Sequence, residues 1–193
     1  MAEVDRPFHV TVVCTGNICR SPMGEVILRD LFEEAGLGDA VRVDSAGTTR
    51  WEVGSPIDPR AAAELRRRGY DVPGSPRSIG AKRRTTWGGG GSAHVARQFE
   101  PGWFPETDLI LAADAGHASV LRRWAPTKED AAKVHLLREF DPEAVASGTL
   151  EVDDPWYGDE QAFVRCFTEV EAACHGVAAW VADELAAQRR GAG

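Results

Sequence analysis

The stretch Phe8-His-Val-Thr-Val-Val-Cys14 constrains this chain more than any other. It is short, β-branched and almost wholly apolar, as expected of a central strand covered on both faces. A polar turn follows at once, Thr15-Gly-Asn-Ile-Cys-Arg20, and Ser21-Pro22 then offers an N-cap residue and a proline at the first helical position. Met23, Val26, Ile27 and Leu31 fall on one face of the ensuing helix, Glu25, Arg29, Asp30, Glu33 and Glu34 fill much of the rest, and Gly36 marks its end. The unit then repeats. Val41-Arg-Val-Asp-Ser-Ala46 reads as a second strand, Asp58-Pro59 begins a helix through Arg68, and Leu109-Ile-Leu-Ala112 reads as a third strand. A short helix around Ala118–Trp124 leads to a fourth strand at Val134-His-Leu-Leu137. Phe163, Phe167, Val170, Cys174, Val177 and Val181 recur at alternating four- and three-residue steps, which predicts a long helix laid on a core. Strands alternating with helices mean an α/β protein with a parallel, doubly wound sheet.

The 193 residues are expected to form one domain. One stretch departs from the regular alternation: residues 74–92 carry Arg77, Lys82, Arg83, Arg84, Trp87 and four consecutive glycines, and read as a Gly-rich basic insertion. Its cations would either steer an acidic protein or lie solvated without consequence. Twenty-two Lys and Arg against 30 Asp and Glu give a net charge of −8, which argues against a protein that coats nucleic acid or an anionic membrane. The N-terminus lacks a cationic region followed by an apolar run, and no segment approaches the roughly 18 apolar residues of a membrane span, so a cytoplasmic protein is expected. Cys14, Cys19, Cys166 and Cys174 match no zinc pattern and are too few for a disulfide scaffold. Cys166 and Cys174 lie eight residues apart on one helix, a rise of roughly 12 Å, too far for a mutual bridge, and read as packing residues.

The chemistry is concentrated where the first strand ends. Cys14 stands at its carboxyl end, a tight loop follows, and Arg20 stands at the mouth of a helix, the place where open α/β folds bind ligands. If successive backbone N–H groups of Thr15, Gly16, Asn17, Ile18 and Cys19 point inward, the loop becomes an anion nest, with Gly16 and Asn17 supplying the positive-φ positions that curling needs. The natural guest is a phosphate-like oxyanion, and Arg20 adds a planar fork for two of its oxygens. Amides, helix dipole and guanidinium also stabilise a thiolate, which makes Cys14 the candidate nucleophile. Ser21 is placed to donate a hydrogen bond to that sulfur.

Val13-Cys-Thr-Gly-Asn-Ile-Cys-Arg-Ser-Pro22 resembles the signature of the low-molecular-weight protein tyrosine phosphatases. The resemblance continues through Asp44-Ser-Ala-Gly-Thr48, Trp51, Asp58-Pro-Arg-Ala61, His94-Val-Ala-Arg-Gln98, Asp108-Leu-Ile-Leu-Ala-Ala-Asp114 and Asp154-Pro-Trp-Tyr-Gly158. It implies a four-stranded parallel sheet flanked by helices, hydrolysis of phosphotyrosine in protein substrates through a cysteinyl-phosphate, and no cofactor or metal. By the family's Asp-Pro pattern Asp154 is the general acid and later the base, although the same residues read alone are only a turn before a helix. Trp51, Trp156 and Tyr157 correspond to the aromatic walls of the family's pocket. Asn17 and His94, with Ser45, resemble the polar group that braces the loop. Cys19 occupies the family's second-cysteine position, that of a reversible disulfide partner for Cys14. The other histidines, His9, His117, His135 and His175, read as surface or ordinary core positions.

Three rivals are weighed against this. A thioredoxin-coupled arsenate reductase shares the Cys-Thr-Gly-Asn start but needs two further cysteines near the loop. A phosphoarginine phosphatase typically has threonine where Ile18 stands. A phosphoprotein-binding module would need neither nucleophile nor acid. A monomer is expected.

Overall fold

The computed structural model describes residues 6–72 and 93–191. The basic insertion expected at 74–92 lies outside them. Four strands, β1 (Phe8–Cys14), β2 (Val41–Gly47), β3 (Leu109–Ala112) and β4 (Val134–Leu136), form one sheet in the order β2-β1-β3-β4. All neighbours are parallel: Cys14 pairs with Gly47 at the end of β2, and Val13 with Ala112 at the end of β3. β1 is therefore hydrogen-bonded on both edges, and its last residue is flanked by two other strand ends.

Alternation along β1 divides the core. Val10, Val12 and Cys14 face helices α1 (Arg20–Glu34), α2 (Pro59–Arg67) and α6 (Glu160–Gly191), while Val13 faces α3 (Ala115–Trp124) and the 3₁₀ turn Pro101–Glu106. The predicted stripe of α6 is buried along its length: Phe163, Cys166, Phe167, Val170, Cys174, Val177 and Val181 are essentially inaccessible. Each of its large apolar side chains contributes about 1.5–3 kcal/mol. Cys166 and Cys174 pack there, and burial pushes the Cys166 thiol up to about 12. Gly176 allows α6 to meet the backbone of the 3₁₀ turn Leu137–Phe140, because a Cβ at that position would collide with the Phe140 carbonyl.

Several local expectations change. α1 starts one residue before Ser21: Cys19 is the N-cap, and the Ser21 hydroxyl turns inward to Cys14 and Ala46. Pro22 still fits, because the first-turn N–H groups of a helix have no intrahelical acceptor. Glu25, on the charged side of α1, is buried, where it accepts from Ser45 and pairs with Arg29 at 2.8 Å. Helices α4 (Lys128–Ala132) and α5 (Pro142–Ser147) were not visible in the hydrophobic pattern, being too short for a period; Thr127 and Asp141 cap them. The fourth strand ends at Leu136, and Leu137 opens a 3₁₀ turn.

Candidate active site

Residues 15–19 leave the carboxyl end of β1 and curl into α1. Their carbonyls are bonded outward: Cys14 O accepts from Thr48 N at 2.8 Å, Thr15 O from Thr49 N at 3.0 Å, Asn17 O from His94 Nε2 at 2.7 Å, and Ile18 O from Asp58 N at 2.8 Å. Among the described residues, no backbone N–H of residues 15–20 donates to a protein acceptor. Donors turned inward around a helix N-terminus make an anion-binding concavity.

One strained position shapes the curl. Asn17 has φ 60°, whereas Gly16, expected to share that role, is outside the left-handed region. Asn17 is 0% exposed and its amide fills the space beneath the loop: Nδ2 donates to Ser21 Oγ at 2.9 Å and to Ser45 Oγ at 2.8 Å, and Oδ1 accepts from Arg97 N at 3.0 Å. Ser45 Oγ in turn donates to Oε2 of buried Glu25 at 2.5 Å. Gly47 at the end of β2 lets the loop pass close by, since a Cβ there would stand 2.6 Å from Thr15 O. The three residues read as loop support, Asn17, Ser45 and His94, are thus brought together around one turn.

Cys14 Sγ lies 3.0 Å from Ser21 Oγ. Cys19 is also buried and free. Burial, and then the neighbouring Asp58 carboxylate, push its thiol well above the usual thiol range.

Arg20 is 4% exposed, and its fork meets two carboxylates: Nη1 donates to Asp114 Oδ2 at 3.0 Å and Nη2 to Asp154 Oδ2 at 2.7 Å. Further bonds run to Val152 O at 3.2 Å and Thr15 Oγ1 at 3.3 Å. A guanidinium so deeply buried requires counter-charge. Asp114 ends the apolar run of β3 and caps α3 by accepting from His117 N at 2.8 Å. His117, set aside as an ordinary position in the sequence, stands in the site: Nδ1 is 2.9 Å from Asp114 Oδ1 and Nε2 is 2.8 Å from Thr15 Oγ1. Burial opposes the ionisation of Asp114, but the bonds from His117 and the charges of His117 and Arg20 outweigh it and hold the carboxyl well below its usual range. Neither residue was singled out because their partners lie about a hundred positions away; Asp114 at a strand's carboxyl end is the signal that could have found them.

The loop carrying Asp154 is rooted beside β3, where Val152 N donates to Ala113 O at 2.8 Å. Asp154 itself is half-exposed, and its Oδ1 accepts from Trp156 N at 3.1 Å. Beyond it Trp156 is partly exposed and Tyr157 is 96% exposed; Trp51, on the loop after β2, is 81% exposed. These three aromatics come from the segments flanking Asp154 and following β2.

The site thus joins a candidate nucleophile, a curled loop and two carboxylates converging on one arginine. The family described as low molecular weight phosphotyrosine protein phosphatase matches residues 9–86 and 88–189. A low molecular weight protein-tyrosine-phosphatase of Streptomyces coelicolor is 47% identical over 178 residues, covering 92% of this chain and 96% of the relative. Low molecular weight protein-tyrosine phosphatase A of Mycobacterium tuberculosis is 43% identical over 182 residues, covering 93% and 95%. The crystal structure of YfkJ from Bacillus subtilis superposes with a TM-score of 0.76 at 28% identity, covering 94% of this chain and 99% of that one. With loop, sheet and aligned length in agreement, the chain belongs to the low molecular weight phosphotyrosine protein phosphatase family.

Proposed function

We propose that this protein is a tyrosine phosphatase in which the residue 15–20 loop binds the phosphoryl group and Cys14 takes it. The observation that carries the reading is the bonding of that loop, whose carbonyls are taken by neighbouring segments while, among the described residues, its N–H groups have no protein acceptor and stay available to an anion. Arg20 supplies two N–H donors to the phosphoryl oxygens, and an arriving dianion competes with Asp154 for Nη2. Cys14 Sγ attacks phosphorus, the ester P–O bond breaks, and Asp154 gives its proton to the tyrosyl oxygen as it leaves. Asp154 then takes a proton from water, which attacks the cysteinyl-phosphate; the P–S bond breaks and phosphate departs. Ser21, 3.0 Å from the sulfur, stabilises it as the leaving group. Fixed amides and Arg20 stabilise the transferring group, so the scheme calls for no cofactor or metal.

Trp51, Trp156 and Tyr157 supply exposed aromatic faces for the substrate ring, which favours phosphotyrosine over the shorter phosphoserine. Cys19 is the proposed disulfide partner that protects Cys14 after its oxidation by peroxide. The net charge of −8 supports protein rather than nucleic-acid partners. Among the described residues no helix is long and apolar enough to cross a membrane. Four free cysteines support a reducing, cytoplasmic setting. Residues 1–193 act as one monomeric phosphatase domain, with the basic stretch 74–92 inserted in its sequence.

Hydrolysis of matched phosphotyrosine, phosphoserine and phosphoarginine peptides in reductant and chelator tests the reading. The expected result is strong preference for phosphotyrosine, loss of turnover with retained peptide binding in Cys14→Ser, and a fall of roughly 10²–10³-fold in Asp154→Ala. Resistance of all three peptides to the reduced protein would end it.

A further inference from the structure

Asp58 and Arg60 join the nucleophile loop to the acid loop. Asp58 caps α2, and its backbone N–H donates to Ile18 O of the phosphate loop at 2.8 Å. Its buried carboxylate grips Arg60 with both oxygens, Oδ1 accepting from Nε at 3.1 Å and Oδ2 from Nη2 at 2.9 Å. Burial works against that carboxylate's charge, and the bonds from Arg60 outweigh it, holding the group below its ordinary range. The guanidinium lies 4.4 Å from the ring centre of buried Phe163 on α6 and 5.6 Å from that of Trp156. Its free edge faces the acid loop: Nη1 and Nη2 each stand 3.4 Å from Trp156 O, and Nη1 stands 3.5 Å from Gly158 O. Trp156 in turn donates its N–H to Asp154 Oδ1. A continuous path thus runs from Ile18 through Asp58, Arg60 and Trp156 to Asp154.

We infer that Arg60 is a positioning residue that sets Asp154 at a fixed distance from the phosphate loop, and that its contribution grows with the leaving group's need for a proton. The inference rests on the phosphatase reading. Arg60 touches neither the phosphoryl group nor the leaving oxygen. It acts by placing the acid, so its removal leaves anion binding and attack by Cys14 intact and impairs only proton delivery. Lysine is no substitute, because a point charge cannot hold both Asp58 oxygens while facing two carbonyls.

The test is kcat/KM for the full-length enzyme on two aryl phosphates, phenyl phosphate with a poor leaving group and 4-nitrophenyl phosphate with a good one. Competitive inhibition by inorganic phosphate and the melting temperature are read alongside. Arg60→Gln and Arg60→Lys are each expected to lose about tenfold on phenyl phosphate, part of a full general-acid effect, and less than twofold on 4-nitrophenyl phosphate. Phosphate inhibition is expected to stay within about twofold of the parent. Equal losses on both esters, no loss on either, or full rescue by lysine would overturn the role. Asp154→Asn separates this failure from that of the underlying reading: if the parent hydrolyses neither ester, or Asp154→Asn shows no leaving-group dependence, the phosphatase mechanism itself falls and Arg60 with it.

Discussion

Two loops meet around Arg20 and are held in opposite ways. Residues 15–19 are bonded from β2, α3 and the His94–Arg97 segment, and Asn17 and Ser21 beneath them are wholly buried. Residues 153–158 are anchored at their root by Val152, while their tip stands in solvent. The difference follows from the tasks assigned to them. A nucleophile inside an anion nest gains from fixed donors, because they stabilise charge without reorganising. The proposed acid must admit a substrate ring and later a water and needs room, so it is held by the Trp156 N–H and by one bond from Arg20.

The contrast can be broken by truncating each loop's own side chain. Asn17→Ala is expected to cost about 3–4 kcal/mol in urea unfolding, because it leaves Arg97 N without an acceptor, removes the bonds to Ser21 and Ser45, and puts a Cβ residue at φ 60° without side-chain support. Loss below about 1 kcal/mol would show that the braces are not what holds the loop.

A second experiment asks whether the braced side also carries acid sensitivity. Burial works to raise the Asp44 carboxyl, but bonds from His9 and Thr11 and the charge of Arg97 outweigh it and hold it at about 2. Its folded value lies below its unfolded one, so its contribution is complete above about pH 4 and is lost as pH falls towards 2. Asp44→Asn should lower stability at neutral pH by about 2 kcal/mol and flatten the acid limb between those values. A limb of unchanged slope in chemical denaturation would assign the acid sensitivity elsewhere.

The smallest effect belongs to the open side. Tyr157→Ala should change stability by less than about 0.5 kcal/mol, since almost the whole residue is exposed. A loss comparable with that at Asn17 would erase the distinction between the loops.

The same division governs what the sequence could tell. β1, the loop and the stripe of α6 are local patterns of period two or about 3.6, and the structure follows them. Cys14 and Arg20 stood out as candidates in a motif a few residues long, and Asp154 through the family's Asp-Pro pattern. Asp114 and His117 were not, because their meaning depends on β3 lying beside β1, a pairing that brings together residues about a hundred positions apart. Ser21 read as a cap because caps are local, yet its hydroxyl is taken by Cys14 and Ala46. Glu25 read only as part of the polar remainder of its helix, whereas it is buried against Ser45 of β2. Long-range polar pairing is thus where local reading gives out.

The position of β1 between two parallel neighbours also bears on exchange with solvent. Amides in a central strand open only when the entire cooperative unit opens, so the Val10–Val13 amides should exchange at the rate of global unfolding. Cys14 directly follows that segment and is paired with Gly47 of β2. Partial unfolding at the surface is therefore expected to disturb the proposed acid loop while the backbone of Cys14, the proposed nucleophile, stays in register.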